Sequence, residues 1–393
     1  PHHIDNLLGS CFHVIFVLIL VVLMILVGDH LVHKMLLRTI KLVKTGLSAS
    51  FFLKIPHNQA MFLLPVFFFI GLVGCANPPE ELVYSGEVMG TTYQVKIVTA
   101  DKLLPRNTRK LIDDQLQKIN KIFTTYNKKS ELMLFNDSLI NQPQAVSPEM
   151  IYVLSIAQDI FVLSDGYFDP TVSSLVDLWG FGPQKSKDVV PSRELIDNLL
   201  PLIGFDKLAI DKKKYLATRL GDIKIDLSAI AKGYAADTVA ELLNSLGAKN
   251  YLIEVGGELR IQGERLDGKS WRIAIEKPSF MQDGVQQVIQ IKDSGVATSG
   301  DYRNYFEKNG KRYSHTIDPR TGYPITHKLA SATVIAKSAA EADALATVMM
   351  ILGPEKALVL AEDNSIPAYF LVKRLDSFDV VYSSAFSPYL LGE

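Results

Sequence analysis

Asp343 and Thr347 stand four positions apart in SAAEADALATVMMIL (338–352), and their side-chain oxygens could bind a metal ion. Ser338 and Glu341 have the spacing of a capping box, which predicts that a helix begins at this point. Most of the other residues are apolar, so the helix is predicted to be buried nearly all round. A buried carboxylate is paired or coordinates a metal, and hard oxygen ligands suit Mg²⁺. The residues alone leave a structural aspartate, paired with an arginine or capping a loop, equally open.

A candidate anion site lies in KIDLSAIAKGYAAD (224–237), where a predicted strand leads into a predicted helix. Asp226 ends the strand, and Ser228 lies at the N-terminus of the helix. A helix N-terminus offers free N–H groups and the positive end of the dipole, which together suit a phosphate. Lys232 follows about one turn later and could reach the same anion. The alternative is a serine that caps the helix and a lysine that lies in solvent.

The stretch YSHTIDPRTG (313–322) groups His315, Asp318 and Arg320 within six positions, and these side-chain types occur in catalytic loops. Its local chemistry is that of a tight turn, because Pro319 presets its own φ and Gly322 accepts a positive φ. Taken by itself, the stretch therefore favours a plain turn that happens to carry polar side chains.

Several familiar catalytic and nucleotide-binding motifs are absent from the sequence. It has no GxSxG, no Walker loop, no Cys₂His₂ spacing and no GxGxxG after a strand. A nucleotide would therefore not be bound in the Rossmann manner. MGTTY (89–93) and GVATSGDYRNYF (295–306) place small polar residues beside strands, which fits either backbone contact with a cofactor or plain hairpins. The formal net charge of −1 gives no electrostatic sign of nucleic-acid binding.

The hydrophobic periodicity predicts an α+β fold with one mostly antiparallel sheet core and surrounding helices. Helices are predicted at 107–124, from Ser147 to Gly166, at 229–247 and at 338–352. Residues 167–222 are predicted to be rich in loops, with short helical pieces. Alternation with a period of two predicts strands in TTYQVKIV (91–98), YLIEV, ELRIQG, WRIAIEKP, VIQIK, ASATVIA (330–336), PAYFLVK and DVVYSSAF.

The front of the chain has the features of membrane or export segments. Residues 11–27 form an apolar run at the short edge of a membrane-spanning helix, and residues 61–75 contain a second run. We expect 1–34 to be a transmembrane segment or upstream sequence read in frame, with the start at Met35. From Met35 the layout is that of a secretory signal, because basic residues precede an apolar run.

LVGC (72–75) resembles the lipobox of bacterial lipoproteins, in which the cysteine is acylated and becomes the new N-terminus. We therefore expect a lipoprotein signal peptide over 35–75 and a lipid on Cys75, the alternative being an ordinary membrane anchor. Residues 76–84, rich in proline and polar side chains, are predicted to be a tether. The domain predicted over 85–393 has no cysteine for a disulfide, so its stability must come from its core.

Eight motifs, taken in order, resemble those of the ApbE family of periplasmic FAD:protein FMN transferases. The resemblance covers about residues 82–391, and the lipobox agrees with it because many members are lipoproteins. The matching stretches are Met89-Gly90-Thr91, YNKKSELMLFN (126–136), DGYFDPTVSSLVDLWGFGP (165–183), IDLSAIAKGYAAD (225–237), VGGELRIQGE (255–264), ATSGDYRNYF (297–306), SHTIDPRTGYPI (314–325) and EADALAT (341–347).

This resemblance implies an ApbE-like, T-fold-like α+β architecture and assigns ligands to particular residues. Magnesium falls on Asp343, Thr347 and the backbone carbonyl of Ala229. Several members carry a second aspartate in this helix, where the present sequence has Ala346. The FAD contacts fall on Met89, Tyr126, Tyr167, Phe168, Asp169, Asp226, Lys232 and Ile317.

The same resemblance changes the interpretation of the loop at 314–325, because the matching loop lies at the flavin end of the pocket in the family. It becomes an active-site loop whose turn residues aim the polar ones. His315 is then the candidate base for an incoming hydroxyl, since a neutral imidazole accepts a proton near pH 7. His315 and Asp343 are the residues to which the resemblance assigns catalysis.

Members of the family use Mg²⁺ to transfer FMN from FAD to a Thr or Ser hydroxyl, forming a phosphoester and releasing AMP. The targets carry a motif close to Asp-x-x-Ser/Thr-Gly-Ala-Ser/Thr on membrane redox subunits that face the periplasm, including those of sodium-pumping NADH:quinone reductase. The resemblance therefore implies a lipid-anchored protein on the periplasmic side of the membrane, which we expect to be the inner membrane. Two alternatives are an FAD pyrophosphatase that releases FMN and AMP, and a lipoprotein that only binds flavin.

Overall fold

The computed structural model describes residues 79–99, 104–183, 190–278, 284–301, 304–375 and 377–391. All of them lie in the unit Ala76–Glu393. In these ranges no helix combines the length and the apolar character needed to cross a bilayer. The predicted transmembrane, signal and lipidation segments, with Cys75, lie outside the described residues and stay predictions.

An antiparallel sheet forms the centre of the fold, as the sequence predicts. The strands are β1 (Glu80–Val88), β2 (Thr91–Thr99), β3 (Gln144–Ala145), β4 (Leu208–Asp211), β5 (Leu216–Arg219), β6 (Asn250–Val255), β7 (Glu258–Gln262), β8 (Trp271–Glu276), β9 (Val285–Ile291), β10 (Ser294–Gly300), β11 (Tyr305–Lys308), β12 (Lys311–Ser314), β13 (Leu329–Ala336), β14 (Ala368–Lys373) and β15 (Phe378–Tyr382). Eight of them form one sheet in the order β1-β2-β6-β7-β10-β13-β14-β15. Every neighbouring pair in that sheet is antiparallel.

Helices cover one face of this sheet. They are α1 (Thr108–Phe123), α2 (Glu131–Asn136), α3 (Pro148–Leu163), α4 (Ser173–Leu178), α5 (Arg193–Leu199), α6 (Ser228–Ser245), α7 (Ala339–Leu352) and α8 (Pro354–Asp363). The four predicted helices correspond to α1, α3, α6 and α7, with ends that differ by three residues or fewer. The start of α7 follows the predicted cap, because the Ser338 hydroxyl accepts a hydrogen bond from the Glu341 N–H. On the other face, β8 and β9 pack with a short 3₁₀ segment (Ser384–Tyr389) over a smaller apolar cluster.

The two helices that carry the candidate site, α6 and α7, are in direct backbone contact. A methyl group built on Gly233 would lie 2.2 Å from the Ala339 carbonyl oxygen, so only glycine permits this approach. The Asp237 carboxylate accepts hydrogen bonds from the N–H groups of Ala339 and Ala340, both at 2.9 Å. Helix α6 therefore fixes the position of the first turn of α7.

Several parts of the sequence prediction were wrong. The tether predicted over 76–84 extends too far, because residues from Glu80 onward form β1 and pair with β2. The loop-rich region 167–222 contains β4 and β5, which form a small sheet with β3. Helix α8 was not predicted. The stretch 295–306 was left open between backbone contact with a cofactor and a plain hairpin. Its first part belongs to strand β10, whose small residues are explained by its position between β7 and β13, beneath α7. The segment 305–314 forms a separate hairpin, β11-β12.

Candidate active site

A cavity of about 450 Å³ opens where α6, α7 and β10 meet the segment 167–176 and the loop 315–319. The structure brings eleven of the predicted site residues to its wall, although they come from distant parts of the chain. Their roles in binding stay predictions. The eleven are Tyr126, Tyr167, Phe168, Asp169, Asp226, Ala229, Lys232, His315, Ile317, Asp343 and Thr347.

Met89, the other predicted flavin contact, lies in a second cavity of about 430 Å³. The two cavities share three lining residues: Tyr126, Ser228 and Lys232. Met89 has a positive φ of 53°, at the turn between β1 and β2. The two cavities therefore adjoin along the side of α6, and together they form a longer recess than either alone.

A buried charge cluster forms the floor of the larger cavity. Lys232 Nζ lies 3.1 Å from Glu258 Oε1 and 3.7 Å from Asp343 Oδ2. Asp343 is 2% exposed and Glu258 is 5% exposed. Lys232 comes from α6, Glu258 from β7 and Asp343 from α7, so the cluster joins three elements. The structure thus pairs Asp343 with a lysine, whereas the structural alternative had named an arginine or a loop cap.

Within the cluster, one lysine faces two carboxylates. Burial alone would lower the pKa of Lys232, but Asp343 and Glu258 raise it above its ordinary value. Burial also raises the pKa of both carboxyl groups, and Lys232 opposes this rise. Among the described residues, Glu258 Oε2 is buried without a hydrogen-bond partner. The floor of the cavity therefore has acceptor capacity beyond what Lys232 satisfies, which suits a further cation.

The oxygen ligands predicted for magnesium are arranged around Gly233. Its N–H donates to Asp343 Oδ2 at 3.2 Å. In an α-helix the same N–H faces the carbonyl four residues earlier, which here belongs to Ala229. Asp343, Thr347 and Ala229 all line the cavity, and the Thr347 hydroxyl lies 3.4 Å from that of Ser299. Ala346 is fully buried in the core and does not line the cavity.

At the junction before α6, Ser228 lies at the N-terminus of the helix, as predicted, but its side chain does not cap the helix. Ser228 is the first residue of the helix, and Leu227 holds the cap position without a side-chain hydrogen bond. Asp226 Oδ1 instead accepts hydrogen bonds from the Ser228 N–H at 2.8 Å and from its hydroxyl at 2.5 Å. The alternative of a serine cap does not hold, and Asp226 organises this turn at the cavity wall.

On the neighbouring wall of the cavity, the Asp169 side chain accepts hydrogen bonds from Thr171, two residues later. Its Oδ1 accepts hydrogen bonds from the Thr171 N–H at 2.8 Å and from the Thr171 hydroxyl at 2.6 Å. Burial raises the pKa of Asp169, and the hydrogen bonds from Thr171 oppose that rise. The carboxylate is therefore already engaged within its own segment.

The loop at 313–322 is both a tight turn and part of the site. Asp318 accepts the N–H of Gly322 on its carbonyl oxygen and the N–H of Arg320 on its side chain, both at 2.9 Å. Trp179 Nε1 donates to the Gly322 carbonyl at 2.8 Å, which attaches the turn to α4. On the other arm of the turn, Ile317 is buried at the cavity wall.

His315 has a defined tautomer. Its Nδ1 lies 2.9 Å from the Asn304 carbonyl oxygen, and a carbonyl only accepts, so Nδ1 carries the proton. The other ring nitrogen, Nε2, is then the acceptor. Burial lowers the pKa of His315 below its ordinary value, although the hydrogen bond to Asn304 opposes the shift. A neutral imidazole with a free acceptor nitrogen therefore lines the cavity at neutral pH, as a general base requires.

Sequence analysis missed several residues of this cavity, of which Glu258 is the most important. VGGELRIQGE (255–264) was quoted as a family motif without a role for Glu258, but Glu258 begins β7 and its carboxylate lies beside Lys232. A carboxylate among apolar strand residues was the signal that could have revealed it. Phe181, Ser299 and Asn304 also line the cavity. Phe181 makes an edge contact with the His315 ring, with centroids 6.3 Å apart.

The fold and the cavity place the chain in the structural class of the flavin transferases. Over 80% of this chain and 100% of the other, it superimposes on the flavin transferase ApbE from Vibrio cholerae with a TM-score of 0.73 and 42% identity. The Pseudomonas stutzeri flavinyl transferase ApbE gives a TM-score of 0.73 at 38% identity, covering 79% of this chain and 97% of that one. The ApbE protein of Thermotoga maritima gives a TM-score of 0.71 at 31% identity, covering 80% of this chain and 100% of that one.

A model of the ApbE family matches residues 89–370, and this chain belongs to the ApbE family. The FAD:protein FMN transferase of V. cholerae is 44% identical over 81% of this chain and 96% of its own length. That of Escherichia coli K12 is 39% identical over 87% of this chain and 99% of its own length. The resemblance found in the sequence motifs is thereby confirmed, as is the predicted α+β fold.

Proposed function

We propose that this protein transfers FMN from FAD to a Thr or Ser hydroxyl of a target protein, forming a phosphoester and releasing AMP. The observation that supports this most directly is the meeting of three kinds of group in one cavity. They are the cation of Lys232, the oxygens of Asp343 and Thr347, and the neutral imidazole of His315. Displacement at a pyrophosphate needs charge neutralisation, positioning and a proton acceptor. The names of the FAD:protein FMN transferases that resemble the chain agree with the proposal.

FAD is the proposed donor substrate, and the shape of the recess supports it. Pockets for small ligands usually have volumes of about 300–1,000 Å³. The larger cavity, at about 450 Å³, falls within that range, and the Met89 cavity extends it along α6. Phe168, Phe181 and Ile317 give the larger cavity apolar and aromatic walls for a ring system. The charged floor then remains for the diphosphate.

Mg²⁺ is proposed to be held by Asp343, Thr347 and the Ala229 carbonyl. Magnesium commonly takes one or two carboxylates and completes its shell with water and substrate phosphate. Among the described residues, no group of three or more His, Cys, Asp or Glu side chains is arranged for a metal. The unpartnered oxygen of Glu258 gives the floor a second carboxylate close by. When bound, the ion would neutralise charge on the pyrophosphate.

The chain's own residues account for the other parts of the reaction. The acceptor oxygen attacks the FMN phosphorus, the bond from that phosphorus to the bridging oxygen breaks, and AMP leaves with that oxygen. The proton of the acceptor hydroxyl passes to His315 Nε2, since Nδ1 is held by Asn304. Lys232 lies on the cavity floor and offers a fixed positive charge to the phosphate oxygens.

The test is to incubate the protein with FAD, Mg²⁺ and a soluble domain that carries the Ser/Thr acceptor motif. We expect a covalent FMN adduct by mass spectrometry, and in-gel flavin fluorescence of the target after denaturation. Changing the final Thr of the motif to Ala should abolish labelling because no oxygen remains to attack phosphorus, while Thr to Ser should retain some. Free FMN and AMP without an adduct would support the pyrophosphatase alternative. Unchanged FAD would support a flavin-binding protein.

The cellular setting is proposed from the sequence alone. The lipobox suggests a bacterial lipoprotein that faces the periplasm, anchored in the inner membrane through lipid on Cys75. The proposed targets are membrane redox subunits of the kind found in sodium-pumping NADH:quinone reductase, which present the acceptor motif on the same side. A lipid anchor would keep the enzyme close to them.

Cys75→Ala is expected to release the protein from the membrane without loss of transferase activity. The reason is that the unit Ala76–Glu393, which contains the candidate site, does not include position 75. Fractionation of cells that express either form, followed by the FAD assay on each fraction, makes the measurement. A processed Ala variant that stays in the membrane fraction would contradict the lipoprotein proposal.

A further inference from the structure

Tyr167 is the centre of a small cationic cluster on the outer side of the candidate site. The Arg320 guanidinium lies over its ring, 3.5 Å from the ring centroid, and one of its N–H groups donates to the Tyr167 hydroxyl. Lys356 Nζ donates to the same hydroxyl at 2.9 Å. Arg320 comes from the loop at 313–322 and Lys356 from α8, so two separate elements direct a cation at one oxygen.

The cluster has donors but lacks an anion. Neither Arg320 nor Lys356 forms an ion pair with a carboxylate anywhere in the described part of the chain. The Tyr167 oxygen already accepts two hydrogen bonds, so its own proton remains for donation. Arg320 uses few of its five N–H donors on Tyr167. Three groups with donors to spare therefore converge where no carboxylate is present among the described residues, and a carboxylate is a partner that such a fork fits well.

The position of the cluster indicates which anion this is. Tyr167 lines the larger cavity, but Arg320 and Lys356 do not, and both of these side chains are exposed. A diphosphate on the cavity floor would meet Lys232, not these two cations. The loop that carries Arg320 also carries His315, five positions earlier, at the cavity wall. Tyr167 and His315 line the same cavity, so a protein segment that brings a hydroxyl to His315 enters a cavity whose wall carries Tyr167.

We propose that Arg320, Lys356 and the Tyr167 hydroxyl form a docking site for an acidic side chain of the acceptor protein. This inference rests on the proposed function, because it assigns the surface that recognises the protein substrate. The pairing aligns the acceptor segment, so that its hydroxyl reaches the His315 side of the cavity. The contact is partly exposed, and salt therefore screens it.

The test uses Arg320→Gln/Lys356→Gln, which removes both charges but retains polar side chains of similar reach. The matched control is Lys212→Gln/Lys213→Gln, which removes two exposed charges at the β4–β5 turn, away from the cavity. We expect the KM for a soluble acceptor domain to rise by about tenfold or more in the Arg320/Lys356 variant. We expect kcat at saturating acceptor, and the dissociation constant for FAD, to stay within about twofold. The control should match wild type in all three quantities.

Two further measurements test docking separately from catalysis. Fluorescence anisotropy of a labelled acceptor with the His315→Ala protein measures docking without turnover. Removing the charges of Arg320 and Lys356 in that protein should weaken acceptor binding by the same factor by which it raises KM. Single acidic-to-amide changes in the acceptor should reproduce that loss in wild type, and one of them should have no further effect in the Arg320/Lys356 variant. A variant that combines Arg320→Lys with Lys356→Gln should bind the acceptor more tightly than Arg320→Gln/Lys356→Gln does. It should still bind more weakly than wild type, since one charge is kept without the planar fork of arginine.

The outcomes are distinct. Weaker FAD binding with unchanged acceptor binding would assign the cluster to the FAD phosphates and overturn the proposal. If the Arg320/Lys356 variant bound the acceptor as wild type does, with an unchanged KM, the docking proposal would also be overturned. Normal FMN transfer in that variant would leave the proposed function intact. If wild type bound the acceptor through Arg320 and Lys356 but never transferred FMN, the docking site would stand and the proposed function would fall.

Discussion

Asp343→Ala is expected to reduce FMN transfer by about a thousandfold or more. A metal that stabilises transition-state charge contributes several kcal/mol, and each 1.4 kcal/mol is about tenfold in rate. The change removes the only carboxylate among the proposed magnesium ligands. Lys232, the proposed contact of the FAD phosphates, remains in place with Glu258 as its ion-pair partner. FAD binding is therefore expected to weaken less than the rate of transfer. The measurement is the initial rate of target labelling across a Mg²⁺ titration, with EDTA as the metal-free reference.

Two variants sharpen the Asp343 experiment. Asp343→Asn keeps the volume of the side chain and removes its charge, so it should behave nearly as the alanine variant does. Thr347→Val removes a neutral oxygen with little change of shape and should give a milder loss. Mn²⁺ electron paramagnetic resonance in the presence of FAD reports metal binding independently of turnover, and thermal unfolding checks the fold. Activity of Asp343→Ala equal to wild type at limiting Mg²⁺ would show that the metal site is assigned wrongly.

His315→Ala is expected to lower kcat for transfer by about 10²–10⁴-fold, the range for loss of a positioned general base. FAD affinity should be retained, because His315 is proposed to act on the acceptor hydroxyl. His315→Gln is the matched variant, since an amide can still donate to the Asn304 carbonyl but has no titrating acceptor. The readouts are single-turnover labelling of the target and equilibrium binding of FAD.

The pH dependence gives a second test of His315. Burial lowers the pKa of this imidazole, so the neutral, basic form persists to a pH below the ordinary histidine value of about 6.5. Wild-type transfer should therefore hold its rate as the pH falls from 8 towards about 6.5 and decline below that value. The His315→Gln variant should lose this acidic decline. If the same decline remained in the variant, another group would be the base.

Local interactions explain why the sequence determined the two helices of the site so well. Ser338 and Glu341 are three positions apart, and the capping bond between them forms wherever that segment becomes helical. The spacing of Asp343 and Thr347 likewise fixes their shared face before any tertiary contact exists. The burial of α7 followed from its composition, and the structure confirms it, with Asp343 only 2% exposed. The eight motifs also identified the family, because their residue types match those of the family and because they follow one another in the same order along the chain.

Other parts of the sequence were ambiguous because their local chemistry suits two structures. The loop at 313–322 has the residues of a turn and forms one, yet the same turn places His315 and Ile317 at a cavity wall. Strand β10 contains small and polar residues typical of a loop. It is a strand because β7 and β13 supply its hydrogen bonds and α7 covers it closely, which favours small side chains.

What only the tertiary structure decided is the identity of the partners. Asp343 contacts Gly233, 110 positions earlier in the chain, and shares Lys232 with Glu258 from β7. Arg320 and Lys356 likewise meet on Tyr167, which lies more than 150 positions before either of them. Sequence spacing carries no information about such pairs, since each element could satisfy its local preferences with many neighbours. Burial selects among those neighbours, because a charge taken out of water must find its counter-charge or its hydrogen bonds within the fold.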